Sequence, residues 1–472
     1  MKPYAPANYS FEDAAHLLRR MGFGGTPSQI ETLRRMGPAL AVETLMRFDD
    51  SDGTQSNPHD LEMRFKEALE AGRPAPQAAA TTVPIAQAWW MHKLVASTQP
   101  FKEKLTVFWH GHFASGLDKV RNGFMLRDQN ELFRRMGLGK FEALTLAVAK
   151  DPAMLVYLDN DENTKGKPNE NFARELMELF TMSVHGGYSE RDVQESARAF
   201  TGWSFVKKRG DLESLKNPRF VFNAKLHDAE SKTFLGKNGN FAGEDIVRMV
   251  STHPSTATFI TTKLWRFFVS ENLPAQTANE LAALFTRTNG DLREVLRTIF
   301  TSSDFYASEN RNALIKSPVE YVVGALRSSQ TTLTKNHEYA LSGVLASMAQ
   351  IPLYPPNVKG WDGGLDWVAD TTLLNRLQFI GALSSSKLPA GYGNGNGKAN
   401  NASDKAAPVT SSWPVGQTLD ATLELIGQTY LGERISGSLE QALRVFAKNR
   451  NTPEVAKGLA YLVMVSPQYH LA

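Results

Sequence analysis

Helix-start signals followed by amphipathic stripes recur along nearly the whole chain, and that patterning leaves room for little but a helical fold. Ser10 opens one segment with Asp13 three residues later, and the segment stops at Gly22. Thr26, Pro27 and Gln29 then supply an N-cap, a first-turn proline and a capping-box partner. Ile30, Leu33 and Met36 follow as an apolar stripe, with Gly37 placed as a C-cap. The Gly22-Phe23-Gly24-Gly25 stretch between these segments reads as a tight turn, too short and in the wrong context for a phosphate loop. Helical patterning returns from Val83 to Met136, with Pro100 opening the stretch that reaches His110. It returns again from Pro254 to about Leu383 and from Leu419 to about Met464.

The interruptions are local. Residues 50–60 are polar and turn-rich, and residues 72–84 carry Pro and Ala without periodicity, so both read as loops. From Ser204 to Gly243 the pattern weakens; Phe220, Phe222 and Phe234 among several glycines suggest short strands or a long structured loop. Residues 389–412 are low in complexity and rich in Gly, Asn and Ala, which predicts a flexible surface loop. The expected fold is mainly α: a multi-helix globular bundle with a small irregular or β-containing insertion near 204–243. Residues 1–388 form its main domain, and 413–472 supply C-terminal helices that pack on it.

Composition narrows the function. Lys+Arg number 52 against 49 Asp+Glu, a net charge of +3, which argues against a dedicated nucleic-acid binder. No apolar run approaches the ~20 residues of a membrane helix. Cysteine is absent, which excludes disulfides, zinc–thiolate sites, iron–sulfur clusters and thiol nucleophiles. Met1 to Phe11 has no apolar h-region and does not read as a signal peptide, so the expectation from the residues is cytoplasmic. No G-x-S-x-G elbow, Walker A loop, Rossmann fingerprint or H-E-x-x-H is found.

The densest polar constellation is Pro168 to Phe180. Asn169 is a good N-cap, and Glu170 sits well against the positive helix end. At about 100° per residue, Asn171, Arg174, Glu175 and Glu178 share one stripe, opposite Phe172, Leu176, Leu179 and Phe180. That stripe is either a solvated face of i,i+4 ion pairs or a cleft wall whose carboxylates bind a hard cation or work as acid and base. Phe108-Trp109-His110-Gly111-His112-Phe113 sets two histidines about a glycine. In extended geometry both imidazoles would share a face, a common metal arrangement; in a helix they would diverge by about 200° and read as core or capping residues. His227-Asp228 fits an orienting pair. Trp203, in Thr201-Gly202-Trp203, and Asn357, Lys359 and Trp361, in Pro355 to Gly364, suit a sugar ring with its apolar face and polar rim, or else plug the core.

Several of these segments together resemble one bacterial family. HLLRRMGFGGTPSQI near the start, FWHGHF at 108–113, PNENFARELMELFT at 168–181 and GGYSERDVQESARAFTGW at 186–203 are similar to its signatures. HDAESKTFLG at 227–236, HPSTATFITTKLWRFFV at 253–269, LIKSPVEYVVGALR at 314–327 and YPPNVKGWDGG at 354–364 complete the order. This is the DUF1800 family, and the resemblance covers nearly the whole chain. It implies a mostly helical, often exported protein, encoded beside a phosphatase/sulfatase-like protein of the DUF1501 family. The chain departs from the family pattern at Phe180, where a histidine is usual.

Residues and resemblance together lead to an expected enzyme, with a divalent metal ion as its expected cofactor, acting on a carbohydrate or another polar envelope polymer. Glu175, Glu178 and His227 are the expected acid/base groups, and His110 and His112 the metal ligands. Asn171, Arg174, Trp203, Asn357, Lys359 and Trp361 are the expected substrate contacts. The alternative is a non-catalytic helical binding or assembly protein working with the phosphatase/sulfatase-like partner, its polar motifs serving as buried networks that fix helix packing.

Overall fold

A computed structural model describes residues 1–49, 59–206, 211–390 and 406–472. It is 61% helical, so the mainly-α expectation holds. The predicted caps explain where helices begin. Ser10 and Asp13 exchange both capping-box hydrogen bonds, at 3.0 Å each, ahead of Phe11–Arg20. Thr26 and Gln29 do the same for Pro27–Leu45. Gly37 behaves differently from the predicted stop. It takes φ +72° and interrupts this run without ending it, because Pro38 restarts the helix with a preset φ.

The 72–84 loop prediction is corrected by a short Ala75–Ala80 helix, which alanine propensity behind a first-turn proline accounts for. The 204–243 region carries the expected small β elements. Trp203–Phe205 pairs antiparallel with Phe220–Phe222, and Lys232–Phe234 with Lys237–Gly239. A third two-stranded ribbon, Lys387–Pro389 with Ala406–Pro408, was not foreseen. Thr410 bridges to Thr332, and the Ser412 amide donates to Ser329 O at 2.8 Å. The predicted flexible loop is therefore anchored over 406–412, and residues 391–405 of it lie outside the described residues, as do 50–58 of the first loop.

The core is aromatic along the Pro100–His112 helix. Phe101, Trp109 and Phe113 are fully buried, and Trp109 Nε1 donates to Gly137 O at 2.8 Å. Beside them Arg134 makes a bidentate pair with Glu103, both bonds 2.7 Å and both side chains buried. The last helices join the same body: Pro453–Met464 packs on Asp370–Ser384, and Tyr321 Oη donates to Met464 O at 3.0 Å. Among the described residues, no helix is long and apolar enough to cross a membrane.

Candidate functional site

Three of the sequence motifs converge at the C-terminal end of the Pro100–His112 helix. The 354–364 loop folds over that end. Gly360 takes φ +88°, and a Cβ there would collide with Gly111 O, so only glycine allows the approach. Trp361 lies beside Gly111, its ring 5.7 Å from that of His110. The same loop is tied from behind by the Leu117 amide, which donates to Leu353 O at 3.0 Å. On the far side His112 Nε2 donates to Phe180 O at 3.0 Å, joining the helix end to the acidic segment.

The acidic segment is α-helical only over Glu170–Glu175. From Leu176 to Thr181 it is a π-helix. Met182 N donates to Met177 O at 2.8 Å, and Thr181 Oγ1 to Leu176 O at 2.6 Å. Asn169 caps the start, accepting from Asn171 N at 3.0 Å as expected. Glu175 and Glu178 are half-buried, and Phe172, Leu176 and Phe180 face the core. Burial first, and then the charge of Glu178, raise the Glu175 carboxyl above its usual range, with Arg174 opposing. Arg174 does not neutralise the pair, because it is committed to Glu190 at 2.7 and 2.8 Å and to Glu170 at 3.1 Å. π-segments recur at functional sites, where the widened turn re-aims side chains.

Tyrosines flank the two carboxylates. Burial, then the nearby Asp118, Tyr354 and Glu175, push the Tyr157 hydroxyl up to about 12. Burial and then Glu178 raise Tyr188. Tyr157 thus lies near Glu175 and Tyr188 near both carboxylates, with Tyr354 next to Tyr157; rings and hydroxyls of this kind are chemically suited to a polyhydroxylated ligand.

The histidines do not join this cluster. His110 and His112 sit on one helix turn and enter different surroundings. His110 is 1% exposed and meets the edge of Trp90 at 5.0 Å, and burial pulls it down to about 3. His112 is 2% exposed among Phe108, Phe113 and Phe180; burial, then Lys263, hold it neutral. Helical geometry separates the two rings, and each is enclosed by aromatics, the placement that the core reading of the motif expects. Among the described residues, no group of three or more His, Asp or Glu is placed to hold a metal ion.

Other expected residues fall elsewhere. His227 Nδ1 interacts with Thr201 O at 2.9 Å, and no hydrogen bond or ion pair links it to Glu175 or Glu178 among the described residues. Its neighbour Asp228 pairs with Arg198, at 2.8 and 3.2 Å, so His227 is held by Thr201 and not by Asp228. Trp203 is 1% exposed, wedged between Phe200 and Phe220. It is a core residue and offers no face to a sugar, because the Trp203–Phe205 strand turns it inward. Asn171 reaches Asp159 Oδ2 only at 3.5 Å. In the loop, Asn357 accepts from Lys359 N at 2.9 Å, and the exposed Lys359 ion-pairs with Asp362.

Sequence reasoning missed Asp118, Tyr157, Tyr188 and Tyr354, which lie outside or at the edge of the motifs read for chemistry. It also missed Lys263. That amine lies 5.3 Å over the Phe259 ring, and burial and then Lys359 pull it down to about 8. The available signal was its helix, Pro254–Phe268, which contains no Asp or Glu to pair with it.

Comparison with known proteins returns one match. The sequence profile of a family described as "Protein of unknown function (DUF1800)" matches residues 16–471. No curated protein and no solved structure matches the chain.

Proposed function

Since the chain belongs to the DUF1800 family, whose description assigns no reaction, we propose its function from the carboxylate cluster: a hydrolase-type enzyme acting on a carbohydrate or another polar envelope polymer. Glu175 is the proton donor to the leaving oxygen, and Glu178 the carboxylate that takes the proton from attacking water. The observation that carries this reading is the half-buried pair Glu175 and Glu178 on one helical segment, with Arg174 committed to Glu190 and Glu170 and the Glu175 carboxyl raised by burial and by Glu178. Tyr157, Tyr188 and Tyr354 supply ring faces and hydroxyls for the polymer, and Trp361 with Asn357 and Lys359 extends the wall. His227, Trp203, His110 and His112 take no part in the chemistry.

The test is a reducing-end assay of the purified chain on a panel of envelope glycans. Glu175→Gln should lower turnover by about 10²–10⁴-fold and remove the alkaline limb of the pH profile, where a proton donor is lost. Full turnover by both Glu175→Gln and Glu178→Gln would sink the reading.

A second reading, a non-catalytic protein working with a phosphatase/sulfatase-like partner, draws on an apolar surface next to the same loop. Leu365 is 79% exposed there, with Val368, Leu374 and Leu377 also outward. Co-elution with a purified DUF1501-type protein, lost on Leu365→Asp, would favour it.

A further inference from the structure

A groove of about 250 Å³ runs between the His59–Glu70 helix and the Lys335–Ser347 helix, and none of its residues belongs to the carboxylate cluster. Asp60, Met63, Arg64 and Glu67 line it from the first helix, Lys335 and Tyr339 from the second, and Ile85 from the Val83–Ala96 helix. The sequence spacing dictates the first wall. Residues 60, 63, 64 and 67 stand at i, i+3, i+4 and i+7, so they share a stripe beside the buried Leu61, Phe65 and Ala68 that hold the helix to the core. Lys335 and Tyr339 are likewise neighbours on their helix, at i and i+4.

The lining combines apolar surface with balanced charge. Met63 is 44% exposed, and with Ile85 and Tyr339 it offers a soft thioether, a branched side chain and an aromatic ring to an apolar group. Two acids and two bases share the groove, so a ligand with a single net charge would meet groups of its own sign without compensation. The two ion pairs are unequal. Asp60 and Lys335 join the facing helices at 2.6 Å, and that pair clasps the groove at the first turn of each. Arg64 Nη1 reaches Glu67 Oε2 only at 3.5 Å, beyond the length of a good charge-assisted hydrogen bond, with the two side chains 37% and 53% exposed. An exposed pair that loose contributes little stability, so its members can turn to a ligand at small cost.

We propose that this groove is a binding site for a free α-amino acid with an apolar side chain, seated on Arg64 and Glu67. An α-amino acid carries its carboxylate and its ammonium on one carbon, so a base and an acid side by side on one helix turn answer both. The Arg64 guanidinium donates to the carboxylate, and the ammonium donates to the Glu67 carboxylate. The side chain then lies against Met63, Ile85 and Tyr339. The balanced lining favours such a zwitterion over a simple acid or a simple amine, and the site is independent of the proposed hydrolase chemistry.

The test is calorimetric titration of the full chain with L-phenylalanine, L-leucine and glycine, and with phenylacetate and phenethylamine as analogues carrying one charge each. Phenylalanine or leucine should bind saturably at a single site. Glycine, phenylacetate and phenethylamine should bind at least about tenfold more weakly, because each lacks one of the three contacts. R64Q and E67Q should keep the parent circular dichroism, since both side chains are partly exposed, and each should weaken the amino acid about tenfold or more. E67Q decides the matter alone if R64Q does not fold. Binding of phenylalanine alone assigns an aromatic side chain to the ligand, and of leucine alone an aliphatic one. No saturable binding of either, phenylacetate or phenethylamine matching phenylalanine, or affinity retained in either folded variant overturns the proposal.

Discussion

Asp151 shows how one buried carboxyl sets a pH dependence. It is 6% exposed at the head of Pro152–Tyr157, accepting from Met154 N at 3.1 Å and Gln129 Nε2 at 2.8 Å. Burial outweighs those donors and raises it to about 7. The unfolded chain loses this proton near pH 4 while the folded chain keeps it to about 7, so folding takes up a proton in between and stability falls as pH rises through that window. The expected slope is up to about 1.4 kcal/mol per pH unit. Asp151→Asn should flatten it in denaturant titrations at pH 5 and 7. The histidines act in the opposite sense. His110 and His112 are held neutral, so their contribution is present above the unfolded value near 6.5 and is lost on acidification toward about 3 for His110. Exchanging both for Ala should cost roughly 3 kcal/mol or more, from cavities and an unanswered Phe180 carbonyl. An unchanged denaturation midpoint would show that these rings are not the packing residues described above.

At the scale of elements, the π-segment Leu176–Thr181 decides where Glu178 points relative to Glu175. Its wide turn leaves carbonyls that a plain α-helix would satisfy, and Thr181 Oγ1 answers one of them, at Leu176. Thr181→Val removes that donor and should cost about 1–2 kcal/mol by chemical denaturation. Deleting one residue between Leu176 and Thr181 would return the segment to α geometry, turning Glu178 by about 100°. The upward shift of Glu175 should then shrink, as read by carboxyl NMR titration. The stripe drawn on the sequence assumed 100° per residue throughout. Nothing in LMELFT marks the change, because a π-turn is stabilised by partners elsewhere, here His112 on the Phe180 carbonyl.

At the scale of the molecule, distant segments are locked by buried polar contacts. Lys104, on the Pro100–His112 helix, donates to Gly22 O at 2.9 Å and pairs with Glu320 in Pro318–Ser328. Glu320→Ala would strand Lys104 and leave the nearby Arg20 and Lys316 without their shared carboxylate. A loss of about 3–5 kcal/mol is expected, read as a lower unfolding midpoint. Glu320→Ala tolerated within 0.5 kcal/mol would mean the pair does not organise this junction.

The caps at Ser10, Thr26 and Asn169, the helical class and the β-containing insertion were legible because they rest on contacts within a few residues, where spacing stands in for distance. Asn169 and Glu175 could be placed on their helix for the same reason. Two things depended on tertiary structure. One was the environment of each motif: His110 and His112 looked like ligands and Trp203 like a stacking face until helices far apart in sequence closed around them. The other was the pairing of charges. Arg174 turns to Glu190 sixteen residues on, and Lys316, although near Glu320, forms no ion pair among the described residues. Local sequence determines which backbone forms and which face is apolar. Burial and charge compensation are sums over neighbours that only the folded chain assembles, and those sums raise the Glu175 carboxyl and lower the Lys316 amine.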